Sequence, residues 1–114
     1  MTASPEQLVV MLYDGAIRFL HQAAAAMRAG DPIRTNDRLR RAETIISELN
    51  HTLDFERGGD IAPRLRSVYL FARRRLLECN LTRDADGIVE VANLLGELRE
   101  SWDTIAGESL RRSA

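Results

Sequence analysis

Apolar residues recur along the chain with helical spacing in four blocks, each bounded by capping or breaking residues. The first block follows Ser4-Pro5-Glu6-Gln7. Ser4 suits an N-cap, Pro5 the first helical position, and Gln7 the third position of a capping box. At about 100° per residue, Leu8, Met11, Leu12, Phe19 and Ala23 gather on one side of this helix. Val9, Tyr13, Ile17, Leu20 and Ala24 gather on a second side, roughly 120° from the first. Gln7, Asp14, Arg18 and His21 form the polar strip. A helix apolar over about two-thirds of its circumference needs more than one neighbour to cover it.

Gly30 stops the first helix, and Asp31-Pro32 starts the next at once. So short a turn makes the two helices antiparallel neighbours. The second helix places Leu39, Ala42, Ile46, Leu49 and Leu53 on one face and is expected to reach Phe55. Gly58-Gly59 breaks the pattern, Asp60 caps the third helix, and Pro63 is tolerable in its first turn. The third helix carries a core stripe of Ile61, Leu65, Val68, Tyr69, Ala72, Leu76 and Cys79. Leu70, Leu77 and Leu81 fall on a second line, spaced by seven and then four. After a turn around Asn80 to Asp84, the fourth helix carries Ile88, Val91, Leu94, Leu95, Leu98, Trp102 and Ile105. Glu90, Glu97 and Glu100 face away from that stripe, and Gly107 opens a polar tail expected to fray. The expected helices span about 5–28, 32–55, 61–81 and 85–106, followed by the tail 107–114. No stretch alternates as a strand does. These elements predict one all-α domain over 1–114, an antiparallel up-down-up-down four-helix bundle.

Composition narrows the function. A chain of 114 residues suffices for a single core, and its net charge of −1 gives no reason to expect nucleic acid or an anionic membrane as partner. The single cysteine, Cys79, excludes an internal disulfide and suits a reducing cytoplasm. No signal peptide precedes Thr2, and no apolar run approaches the ~20 residues of a membrane span, so a cytoplasmic location is expected. Enzyme chemistry is not evident. A carboxylate-bridged metal site in a bundle would require Glu-x-x-His pairs on two helices; Arg18 stands three residues before His21, so Glu48 with His51 is a single such pair without a second. Both read as solvated histidines, a phosphorelay role being the formal alternative, and Cys79 reads as a packed thiol. No glycine-rich phosphate loop occurs, and no cofactor is expected. Arg73-Arg74-Arg75 reads as a solvated outward face, with contact to an acidic partner as the alternative.

The apolar surplus is more informative. A bundle needs about three apolar positions per heptad on each helix. The first helix exceeds this through Val9, Tyr13, Ile17 and Leu20, and the third through Leu70, Leu77 and Leu81. Either the first helix is the most buried of the four, or these seven residues line an external groove. Such a groove would mark a partner site suited to an amphipathic helix or an extended apolar segment. A second copy covering the same surface would make the chain a homodimerising scaffold.

Several stretches resemble one known family. Thr2 to Leu8 (TASPEQL) and Met11 to Phe19 (MLYDGAIRF) closely resemble the opening helix of the flagellar secretion chaperone family FliS. Leu53 to Ala62 (LDFERGGDIA) resembles its second turn. Arg74 to Glu78 with Asn80 resembles its third helix, and Leu94-Leu95, Leu98 to Glu100 and Trp102 its last. The likeness runs in order over nearly the whole chain. It implies a cytoplasmic, non-enzymatic export chaperone that binds the C-terminal segment of flagellin. In the family that segment is disordered when free and partly helical when wrapped around the bundle. Binding blocks premature filament assembly and aids delivery to the type III export gate. Relatives usually carry a further N-terminal segment rich in Tyr and Gln, which contributes to the gate contact, whereas this sequence starts at Met1. An open groove would then invite dimerisation. Leu70 stands where relatives often have an acid, which enlarges the apolar strip.

Overall fold

A computed structural model describes residues 3–53 and 61–113, with side chains through Trp102. Four helices make up the fold: α1 (Pro5–Arg28), α2 (Pro32–His51), α3 (Ile61–Thr82) and α4 (Ala85–Ser113). Among the described residues there is no strand.

Local chemistry accounts for most helix ends. At the start of α1, Ser4 Oγ accepts from Gln7 N at 3.2 Å and Gln7 Oε1 accepts from Ser4 N at 2.8 Å, the reciprocal capping box. Asp31 caps α2 by accepting from Arg34 N at 3.0 Å. Asp84 caps α4 by accepting from Gly87 N at 2.9 Å. The ends of α1 and α3 use one device. Gly30 (φ 74°) and Arg83 (φ 57°) take the left-handed position. The next residues then donate back across the last turn, Asp31 N to Ala26 O and Asp84 N to Cys79 O, each at 2.9 Å.

Two boundaries differ from expectation. α2 ends at His51, with Thr52 as its C-cap, before the expected Phe55. Phe55 itself, the Gly58-Gly59 break and the Asp60 cap lie outside the described residues. α4 continues as helix through Gly107 to Ser113. One helical glycine costs only about 1 kcal/mol, and Ala106, Glu108 and Leu110 around it favour helix.

α1 packs along both α2 and α4, and α3 packs on the other edges of α2 and α4, diagonally across from α1. Cross-helix pairs set the directions. Arg28 meets Asp86 at 2.7 Å at one end of the α1–α4 seam, and Trp102 meets Tyr13 at 3.1 Å near the other. Asn80 donates to Asn36 Oδ1 at 3.1 Å between α3 and α2. The result is the antiparallel up-down-up-down bundle. Its core is filled by Leu20, Ile46, Leu49, Leu76, Ile88 and Leu95 together with Tyr13 and Tyr69. Cys79 is buried among them.

The expectation that the second side of α1 lines a groove is corrected. Val9, Tyr13 and Leu20 are core residues, the last two with no exposed surface, and Ile17 is half-buried against the same cluster. This side points across the bundle at α3, between α2 and α4, so neighbours on three directions cover it. The exposed apolar residues of α1, Leu8 and Met11, belong to the opposite group. On α3, Ile61 is exposed rather than core, and the buried stripe begins at Ala62.

Candidate functional site

α3 is where the apolar surplus meets solvent. Tyr69, Ala72, Leu76 and Cys79 point inward, and because α3 packs along α2 and α4 and meets α1 only across the core, its outer side has no described helix to cover it. Leu70, Leu77 and Leu81 lie there at 42%, 58% and 76% exposure. Their spacing of seven and four keeps them within about 40° of one another around the helix. They form the external apolar strip that their sequence positions predict. Phe71, half exposed, lies roughly 100° to one side of it.

Beside the strip, α2 and α3 enclose a cleft of about 540 Å³ lined by Leu70, Leu77, Arg73 and Arg74 from α3 and Glu43 from α2. A neighbouring cleft of about 340 Å³ shares Glu43 and Arg73 and adds Arg40, Thr44, Ser47, Glu48 and His51. The surface is thus an apolar line with a polar, charged margin along α2. What it can do chemically is cover apolar side chains of another molecule and pair with charges at its edge.

The predicted site residues therefore separate. Leu70, Leu77 and Leu81 come together outside, whereas Val9, Tyr13 and Leu20 come together inside. Tyr13 has a specific role there. Its hydroxyl is hydrogen-bonded to the Tyr69 hydroxyl and accepts from Trp102 Nε1 at 3.1 Å, joining α1, α3 and α4 through one buried oxygen. The two phenol rings tilt at 49° with centroids 6.4 Å apart. Burial pushes both tyrosines above their ordinary titration range, and for Tyr13 the bond to Tyr69 adds to the effect. These phenols stay neutral and brace the bundle.

Other reactive side chains are placed as structural ones. His21 is exposed, and His51 is exposed with its Nδ1 2.8 Å from Ser47 O. The Cys79 thiol is pushed up by burial. Leu8, Met11, Ile33 and Phe71 are exposed apolar residues that the sequence reading did not assign to a surface. For Phe71 there was a signal, since it fits neither line of α3. Among the described residues, no group of three or more metal-ligating side chains converges, and no helix is long and apolar enough to cross a membrane.

Comparison with known proteins fits this geometry. Residues 1–109 match the family model described as flagellar protein FliS. The flagellar secretion chaperone FliS of Salmonella typhimurium is 42% identical over 107 residues, covering 93% of this chain and 79% of that protein. The FliS of Bacillus subtilis is 35% identical over 101 residues, covering 89% and 74%. The chaperone FliSB of Pseudomonas aeruginosa is 35% identical over 104 residues, covering 91% and 82%.

Proposed function

Because the chain belongs to the FliS family of flagellar secretion chaperones, we propose that its export substrate is flagellin, held by the C-terminal segment. Binding keeps that segment from polymerising prematurely in the cytosol and carries the subunit to the flagellar type III export apparatus, with a contact to the export gate. The observation that supports this reading is the exposed line of Leu70, Leu77 and Leu81 along α3 beside the α2–α3 cleft. An unfolded segment that orders on binding loses several kcal/mol of conformational entropy. Apolar contact offsets this: covering ~1,000 Å² of apolar surface yields roughly 25 kcal/mol gross. Most of that is consumed by association and ordering, so the net affinity depends on a few anchoring side chains. The strip supplies such anchors at helical spacing.

Titration with a peptide covering the C-terminal segment of flagellin tests the proposal. Leu77→Asp is expected to abolish binding while the helical circular dichroism signal stays unchanged. Full-strength binding by a folded Leu77→Asp variant would move the site off α3. Failure of the unaltered chain to bind the peptide would remove flagellin's C-terminal segment as the client.

A further inference from the structure

We infer that the segment seated on α3 is an acidic amphipathic helix, its carboxylates set on both flanks of an apolar face and read by Arg73 and Arg74. The inference rests on the α3 strip being the client surface and adds to it the charge of the occupant. α3 carries five arginines, at 64, 66, 73, 74 and 75, against a single acid, Glu78. Arg75 pairs with Glu78 on its own helix at 3.3 Å and turns toward α4, where it meets Asp84 at 3.2 Å and Glu90 at 3.9 Å. That leaves Arg73 and Arg74 exposed, with no carboxylate within ion-pair distance among the described residues. Glu43 lines the same cleft and offsets one of the two charges, and Glu48 lies in the adjoining cleft with Arg40, which is paired to Asp37.

Helical geometry places these two guanidinium groups on opposite sides of the leucines. Taking Leu70 as zero, Leu77 and Leu81 lie within about 20° of it, Arg74 at about 40° on one side and Arg73 at about 60° on the other. Arg66 falls on the Arg73 side at roughly 40° and is also exposed. An apolar ridge flanked by cations that have no carboxylate partner among the described residues complements a helix whose anchors are flanked by Asp or Glu. Lysine or arginine at those flanks would be repelled. The charge pattern therefore selects between apolar segments that the leucines alone would accept equally.

Two designed helical peptides of identical apolar face, one flanked by Glu and one by Lys, test the inference beside the flagellin peptide. The Glu peptide is expected to bind at least several-fold tighter than the Lys peptide at low salt, the gap closing as ionic strength passes ~0.5 M. Arg73→Glu with Arg74→Glu should weaken the Glu peptide about 3- to 10-fold and favour the Lys peptide. Arg18→Glu, a single charge reversal on the diagonally opposite helix, should leave both affinities unaltered. Equal affinity for the two peptides, with no response to salt or to the double reversal, would overturn the inference while leaving flagellin as client. Sedimentation showing that the double reversal abolishes a peptide-independent dimer would assign the cleft to a second copy and overturn it as well. Absence of flagellin-peptide binding by the unaltered chain is the separate result that removes the client itself.

Discussion

Single residues show how closely the helices are set. Gly87 lies in the first turn of α4, where a Cβ would come 2.5 Å from Cys79 Sγ and 2.8 Å from Arg75 Nη2. Cys79 is packed in the core and cannot withdraw freely, so Gly87→Ala is expected to destabilise the fold by about 1–3 kcal/mol in denaturant unfolding. Tyr13→Phe strips the acceptor from Trp102 and the partner from Tyr69, at an expected cost of about 1–3 kcal/mol. The tyrosines also predict an alkaline limit. Their folded-state titration lies above the ordinary value of about 10, so the neutral phenols favour the fold fully below that pH. Above it the unfolded chain loses the protons first, and stability falls as pH rises. Melting curves between pH 9 and pH 12 should show this decline, and Tyr13→Phe, with one such group fewer, should decline less steeply.

At the scale of elements, α3 gives the cleanest contrast. Leu76 is 1% exposed and Leu77 58%, neighbours in sequence set about 100° apart around one helix. Leu76→Asp should abolish cooperative unfolding, because it buries an unpaired carboxylate. Leu77→Asp should change stability by no more than about 0.5 kcal/mol. Ile17→Asp belongs with the first class, since Ile17 packs half-buried against the core of α1. The end of α3 offers a gain. Arg83 holds a left-handed backbone at φ 57°, which suits glycine better, and Arg83→Gly should raise stability by about 0.5–1 kcal/mol in the same assay. Element starts and ends were legible because capping acts within three or four residues. Ser4 with Gln7, Asp31 with Pro32, and Asp84 all sit where their types demand. The ends of α2, at His51 rather than Phe55, and of α4 were less so, the latter because a lone glycine is a weak stop.

At the scale of the whole molecule, binding and folding are linked. A flagellin peptide that binds only the folded bundle should raise its stability by about 2.7 kcal/mol at a hundred times its dissociation constant. Thermal melting with and without peptide measures this, and Leu77→Asp should remove the shift. Three of the seven residues expected at the surface were readable in advance. Leu70, Leu77 and Leu81 stand off a stripe already filled by Tyr69, Ala72, Leu76 and Cys79, so their exposure follows from one helix alone. The residues Val9, Tyr13, Ile17 and Leu20 could not be placed this way, because α1 has a second apolar group of equal size.

The amino-acid sequence by itself determined four helices, the N-caps of α1, α2 and α4, their antiparallel order and the leucine line on α3. Each depends on interactions within a few residues or on spacing around one axis. Only the tertiary structure decided which side of α1 is interior. The wheel has no reference direction, and one is supplied when α2 and α4 flank the helix and the Tyr69 hydroxyl meets Tyr13 across the bundle. Burial is a property of neighbours, and two of those that cover α1, α3 and α4, come from the later half of the chain.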